Sequence, residues 1–530
     1  MKKQPLKSSI KIRNRTEYAL LFLLVSVLMV KFSPCQAQDK TGIFSSKDNI
    51  IPALSIGNAG EIKKEFVFQM ALGDLYSNIR LHKSGLLDRD KLCFMAGINY
   101  NRPWTRDAAI NIWNGGGLIF PEVAKNTLLS VIAKDQLGNV VIAGQYWDKI
   151  IWAVGLWNYY LYTGDLDMLE FGYDIVQRTF IILESEEFDK KNNLFRGAAV
   201  YGDGVAAYPE VYTRSENNNT YSGIHFWPKE NPKLRASAGH GIPMQALSTN
   251  CLYYGVYTIL SEMAKELGVP PNQEWSKKAK KLKESINKRF WNPKKNTYDY
   301  LIDPFGGSDA QEGMGISFAI MFGVADPKQT EAMLRNTHVE PAGIPVVWPS
   351  FPRYENEERT SYGRHSGTVW PHVQSFWAYS AAINDRMDLF NHEYNALTAN
   401  VWRDKQFVEI YHPKTGKKYG GIQENNSSTW NLTKSQNRQT WSATGYLRMV
   451  FMGIVGMRFD TDGLSFSPLV SEELGPIRLE NIRYRNTVLN ISIKGSGNTI
   501  SKFLLNGVES KPFLPVDLKG EQNIMIILEN

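Results

Sequence analysis

The feature that most limits how this chain can fold is an alternation of two kinds of amphipathic helix. Residues 274–290 carry Lys277, Lys278, Lys280, Lys281 and Lys283 among few apolar positions, the pattern of a helix with most of its surface in solvent. Residues 146–162 carry Trp147, Ile150, Ile151, Trp152, Val154, Leu156 and Trp157 nearly all round, the pattern of a helix buried on every side. Apolar spacing predicts further helices at 62–82, 121–134, 167–187, 245–267, 312–323, 327–336, 371–384, 388–403 and 439–455, with a short one opening at Trp104. Loops rich in Gly, Pro, Asn and Asp join them. About twelve helices taken two at a time describe a mainly α domain in which solvated outer helices back buried inner ones.

Past Val455 the pattern changes. Leu464-Ser465-Phe466, Ile477-Arg478-Leu479, the run from Val488 to Ile493, and residues 500–505 and 524–528 are short β-prone stretches separated by turns. They predict a small antiparallel β-domain at 458–530, after a helical domain at 61–457. Asp460-Thr461-Asp462-Gly463 lacks the remaining ligands of a calcium loop and is read as a turn.

The first 37 residues belong to neither domain. Lys2, Lys3, Lys7, Lys11, Arg13 and Arg15 precede an apolar run from Tyr18 to Val30, and Cys35-Gln36-Ala37 supplies small residues for signal-peptidase cleavage. The run is too short to span a bilayer, so the expectation is a secretory leader at 1–37, an N-terminal extension at 38–60, a periplasmic or extracellular mature protein and no stable membrane insertion. The leader, with seven basic side chains against Glu17, accounts for +6 of the formal +7 and leaves the rest near +1. That balance argues against nucleic acid and anionic membranes as partners. Cys93 and Cys251 remain after cleavage; one bridge and two buried thiols are equally open.

Chemistry is concentrated first at Arg102-Pro103-Trp104-Thr105-Arg106-Asp107. An aromatic ring can cover the C–H face of a pyranose while a fixed Arg/Asp pair holds its hydroxyls. A helix start with an acidic first turn and a buried Trp accounts for the same residues. Trp104-Thr105-Arg106-Asp107 resembles the first inner-helix motif of the inverting six-hairpin glycosidases. This clan includes glucoamylases, trehalases, processing α-glucosidases and mannosylglycerate hydrolase-like enzymes. The resemblance implies an (α/α)6 toroid whose inner-helix ends surround one cavity, and implies that Arg106 and Asp107 hold the terminal sugar, with Trp104 beside them.

Inversion needs a protonated carboxyl to protonate the leaving oxygen and a carboxylate to activate water on the opposite face, about 6.5–9.5 Å apart. The acid candidate is Asp203, between two glycines in Tyr201-Gly202-Asp203-Gly204, where small apolar residues and tyrosines would desolvate it. A simple Asp-Gly turn explains the residues as well, and position within the clan favours the acid; this chain lacks the clan's Gly-x-Asp-x-Ser context, and Glu210 and Asp189 are the fallback acids. The base candidate is Glu409, in Glu409-Ile410-Tyr411-His412-Pro413-Lys414-Thr415-Gly416, which is similar to the clan's Glu-x-Tyr-x-Pro-x-Thr-Gly base loop. Tyr411 and His412 are placed to orient it. Gly420-Gly421-Ile422-Gln423-Glu424 resembles the Gly-rich segment after the base in trehalases, making Glu424 a substrate ligand or the alternative base. The stretch from Tyr362 to Pro371 and Thr440-Trp441-Ser442-Ala443 resemble two inner-helix starts, which implies substrate-binding roles on the cavity wall, Arg364 on hydroxyls, Trp370 stacked on a sugar and Trp441 in the pocket; each Trp equally fits a core position.

His225, His240, His338 and His372 show no metal-ligand spacing, His365, Glu409 and His412 form no zinc set, and there is no phosphate-cradling loop with a Lys. No metal and no cofactor are expected. The reading is an exported exo-glycosidase acting on an α-linked oligosaccharide or glycoside. A helical-toroid phosphorylase and a non-catalytic glycan-binding protein on the same fold are the alternatives.

Overall fold

A computed structural model of the chain describes residues 51–529 apart from 145–146, 200–206, 213–241, 271–272, 359 and 425–429. Among these residues twelve helices of seven or more residues follow one another in outer and inner pairs. The outer set is α1 (Ile62–Ser77), α3 (Pro121–Ser130), α5 (Leu166–Glu187), α7 (Gln273–Phe290), α9 (Pro327–Asn336) and α11 (Met387–Asp404). The inner set is α2 (Thr105–Asn111), α4 (Asp148–Thr163), α6 (Leu247–Glu266), α8 (Gly313–Met321), α10 (Pro371–Ala382) and α12 (Thr440–Arg448).

The sequence pattern explains which helix goes where. In α7 the buried side chains are Trp275, Ala279, Leu282, Ile286 and Phe290, a single stripe at helical spacing that leaves the lysines outside. In α4 burial runs from Ile150 through Leu156 without a break, so it needs neighbours on every side. Each inner helix packs on the next, α2 on α4, α4 on α6, α6 on α8, α8 on α10, α10 on α12, and α12 returns to α2. That closed ring is the (α/α)6 toroid. Close approach within it needs small residues: a Cβ added at Gly155 of α4 would lie 2.7 Å from the Ala109 Cα of α2.

The first turns of the inner helices gather at one end. Arg106 of α2 lies 3.8 Å from Asp148 of α4, and its guanidinium lies over Trp441 of α12 at 5.6 Å. Trp441 stacks on His372 of α10 at 4.1 Å, and Ser248 of α6 donates its backbone N–H to Glu312, which leads into α8, at 3.0 Å. Deeper along the same helices the ring is filled. Trp113 packs on Phe376 at 4.6 Å, and the fully buried Arg448 guanidinium sits over Trp113, Phe376 and Tyr379 while donating to Asn114 Oδ1 at 3.2 Å. The ring interior is therefore lined by polar and charged side chains at one end and closed by aromatic packing below it.

Several predicted helices end earlier than their apolar pattern. Residues 79–82 and 132–134, expected as the last turns of α1 and α3, are strands that pair with Lys91–Phe94 and Val140–Ile142. Gln245-Ala246 at the expected start of α6 pairs with Leu301-Ile302, and α12 gives way to a wider helical turn at Met449–Ile454. A run of four apolar-rich residues fits either period, and here the strand partners, far along the chain or across a loop, decide.

The C-terminal sheet has the order β1-β2-β3-β6-β4-β5, with β1 (Ala53–Ile56), β2 (Ile477–Tyr484), β3 (Thr487–Lys494), β4 (Ile500–Leu505), β5 (Val508–Glu509) and β6 (Gly520–Leu528). It is antiparallel except for β3 and β6, which run parallel from Thr487↔Gly520 to Lys494↔Ile527. Its first strand comes from the other end of the chain, pairing Ala53 with Glu480 and Ile56 with Ile477. Cys93 and Cys251 are separate buried thiols, which settles the open choice against a bridge. Among the described residues no helix is long and apolar enough to cross a membrane.

Candidate active site

Glu409 lies five residues beyond the end of α11 and is 2% exposed. Three donors hold its carboxylate. Arg364 Nη2 is 2.8 Å from Oε2, the Gln436 backbone N–H donates to the same oxygen at 3.3 Å, and the Tyr100 hydroxyl donates to Oε1 at 3.1 Å. The backbone is pinned as well: Glu409 N donates to Gln436 O, Ile410 N to Ser435 Oγ, and Phe407 N to Asp74 Oδ2 on α1. A carboxylate offers about four acceptor positions. Among the described residues three are occupied, and the one left is on Oε1.

The residues expected to orient Glu409 are not those that do. Tyr411 is fully buried with its backbone paired to Val369, and His412 Nε2 is 3.0 Å from Thr360 O. Both residues are engaged with other segments, so sequence adjacency is a poor guide to contact there. Tyr100 and Gln436 carry no motif of their own. The only sequence signal is that Tyr100 lies two residues ahead of the Arg102 to Asp107 stretch, held by Arg80, whose guanidinium donates to Tyr100 O and Ile98 O.

Arg364 joins Glu409 to the aromatic wall. Its Nη1 donates to Thr433 Oγ1 and Gly420 O, its guanidinium lies over Trp370 at 5.3 Å, and Trp370 Nε1 donates back to Arg364 O at 2.9 Å. Trp370 meets Trp441 edge-on at 5.8 Å, and Arg106 spans Trp441 and Trp147. Asp107 is 3% exposed and near enough to Tyr100 for its charge to act on the phenol. Burial, then the negative charges of Glu409 and Asp107, push the Tyr100 phenol well above its ordinary range. Arg106, Asp107, Arg364, Trp370, Trp441 and Glu409, drawn from four segments spread over more than three hundred residues, thus form one cluster at the inner-helix starts.

Trp104 stands at the edge of this cluster. It is the residue before α2, 39% exposed, with the Arg102 guanidinium 3.9 Å above its ring. Asp203 lies outside the described residues. The segments on either side of it are described: Gly197 N donates to Met244 O, Ala199 N to the Tyr208 hydroxyl, and Arg353 to Tyr208 O. Of the fallback acids, Asp189 accepts from Gln245 Nε2, and Glu210 is largely exposed 3.7 Å from Arg353. Neither touches the Glu409 cluster through a described contact. The backbone of Glu424 belongs to a strand, Ile422–Glu424, paired with Trp430–Leu432; its side chain lies outside the described residues.

Two further carboxyls shape the surroundings. Glu312 is fully buried and accepts from Ser248 N; burial pushes it up to about 8 against the Ser248 hydrogen bonds that pull it down. Asp74, which fixes Phe407, is raised to about 6 by burial, opposed by the Phe407 hydrogen bond and Arg438. Among the described residues no group of three His, Cys, Asp or Glu is placed to hold a metal.

A model of the "mannosylglycerate hydrolase MGH1-like glycoside hydrolase domain" matches residues 148–442, more than half of the chain, and one of the "glycosyl hydrolase family 65, C-terminal domain" matches 457–522. No curated protein sequence matches. Among solved structures the chain is similar to one named as a sialidase, with 15% identity and a TM-score of 0.59 over 87% of this chain and 40% of that one, so it spans two-fifths of that protein's length. It is also similar to the family 63 mannosylglycerate hydrolase of Thermus thermophilus in complex with glucose, with 13% identity and a TM-score of 0.54 over 72% of this chain and 99% of the other. A family 78 rhamnosidase of Bacillus sp. GL1 aligns at 14% identity and a TM-score of 0.51, over 90% of this chain and 44% of that one. At such identities these structures speak for the shared toroid alone, whereas the family match covers the helices that carry Arg364, Trp370, Glu409 and Trp441. The chain belongs to the mannosylglycerate hydrolase MGH1-like family of glycoside hydrolases.

Proposed function

We propose that the protein is an exported exo-glycosidase that hydrolyses an α-linked oligosaccharide or glycoside with inversion, using Glu409 as general base and Asp203 as general acid. The observation that carries the reading is the hold on Glu409: three donors orient a buried carboxylate and leave one acceptor position on Oε1. A water bound there gives its proton to Glu409 as its oxygen attacks the anomeric carbon. The C–O bond to the leaving group breaks, and Asp203 delivers a proton to the departing oxygen. Arg106 and Asp107 hold the hydroxyls of the sugar unit, and Trp370 and Trp441 close the wall around it. Tyr100 and Arg364 keep the base from rotating, which is the contribution of positioning to rate.

Export is read from residues 1–37, whose basic start, apolar run and Cys35-Gln36-Ala37 fit a cleaved leader. The test is a panel of α-glucosides, α-mannosides, α-rhamnosides and mannosylglycerate, with the anomer first released followed by NMR. Glu409→Gln lowers turnover about 10²–10⁴-fold with unchanged thermal unfolding. Near-wild-type activity in that variant removes Glu409 from the mechanism, retained anomeric configuration removes inversion, and cleavage that requires inorganic phosphate converts the reading to a phosphorylase. Sugar binding with no product over days means a glycan-binding protein.

A further inference from the structure

His372 stands in the first turn of α10, fully buried, its ring stacked on Trp441 at 4.1 Å and edge-on to Trp370 at 5.7 Å. Neither ring nitrogen has a hydrogen-bond partner among the described residues. An imidazole that carries one donor and one acceptor loses both bonds with water when it is buried, so a site like this is stable only when another polar group completes it. Its stacking partner shares the condition: Trp441 Nε1 on α12 is also buried without a partner among the described residues. Two adjacent inner helices of the ring therefore present unmet polar atoms, beside Arg106, which lies over the same Trp441 ring. Burial, and then the charges of Arg106 and His365, hold the His372 imidazole well below its ordinary range. The neutral ring, with one donor and one acceptor, is the form that this setting favours.

We propose that His372 is a specificity-determining residue, whose imidazole hydrogen-bonds a hydroxyl of the sugar unit bound between Arg106, Asp107 and Glu409. This rests on the glycosidase reading. A neutral imidazole can donate to or accept from a sugar hydroxyl through either ring nitrogen, and it brings no positive charge to pair with a carboxylate or phosphate on that part of the substrate. The stack on Trp441 fixes the ring plane, so the bond selects hydroxyl orientation as well as presence.

The test compares the glycoside cleaved fastest in the panel with its monodeoxy analogues, in wild type, His372→Phe and His372→Gln. In wild type, removing the hydroxyl that His372 reads lowers kcat/KM by roughly 10- to 100-fold. In His372→Phe the parent glycoside falls by a similar factor and that same deoxy analogue falls little further, while His372→Gln recovers part of the discrimination. A common fall for the parent and every deoxy analogue means that the ring only packs, and overturns the proposal. Thermal unfolding reports folding, and His372→Gln carries the comparison where the Phe variant is unfolded. Where wild type cleaves nothing in the panel, the comparison runs as calorimetric binding of D-glucose, D-mannose, L-rhamnose and their monodeoxy forms. Discrimination that disappears in the variant then supports His372 while the hydrolase reading falls; unchanged discrimination, or no binding, overturns the proposal.

Discussion

Replacing Glu312 by Gln tests how the interior charge is handled. Glu312 is fully buried, and burial raises its carboxyl to about 8 from a usual 4.5. The folded protein thus keeps a proton that the unfolded chain gives up as pH rises past 4.5. Folding stability falls as pH rises between 4.5 and 8, by about 1.4 kcal/mol per pH unit for this group alone, and is level above 8. At pH 7 the penalty is on the order of 3 kcal/mol. Gln has nearly the same shape, keeps an oxygen for the Ser248 N–H, and has no proton to lose. The slot is tight, since a Cβ at Gly315 would lie 2.4 Å from Glu312 Oε2, so a shorter residue would leave a void. Urea unfolding of both proteins at pH 5, 6, 7 and 8 should show near-equal stability at pH 5 and a gap that widens to about 3 kcal/mol in favour of Glu312→Gln at pH 7. Every other titrating group cancels in the difference. Parallel curves across that range would refute the claim that Glu312 is carried as a neutral acid.

Asp74→Asn should remove a second slope: with its folded carboxyl at about 6, wild type should lose about 3 kcal/mol relative to the variant as pH rises from 4 to 6, read as the difference between their urea unfolding curves. Its acceptor for Phe407 N survives, so activity above pH 6 should be close to wild type, whereas Asp74→Leu should lower kcat by loosening the Glu409 strand. Tyr100→Phe, which deletes the donor to Glu409 Oε1, should reduce kcat about 10-fold with KM little changed in steady-state assays. Gly155→Ala should cost about 1–3 kcal/mol in urea unfolding, because its Cβ meets the α2 backbone.

The fold was legible because the signal is local and repeated. The one-stripe burial of α7 and the all-round burial of α4 follow the apolar pattern residue by residue, and α9 begins at Pro327 with the capping box of Asp326 and Gln329. The motif at Trp104 to Asp107 was readable for the same reason: three candidate side chains fall within one helix start. Tyr100, Gln436 and His372 were not, since each matters through a partner distant in sequence. Tyr100 reaches Glu409 across 309 positions, and the sequence offers His372 only for a test of metal spacing, which says nothing about a ring stacked on Trp441.

By itself the amino-acid order determined which faces are apolar, and with them the paired helices, the β-prone C-terminal stretch and the acidic and aromatic residues at the inner-helix starts. Only the tertiary structure decided that β1 would complete a sheet made otherwise from residues 477–528, that β3 and β6 would run parallel, and that Arg364, Tyr100 and the Gln436 backbone would hold Glu409 in place of Tyr411 and His412. The physical reason is range. Periodicity is set by neighbours three or four residues away, whereas the hydrogen bonds that orient a buried carboxylate depend on which helices happen to meet when the toroid shuts.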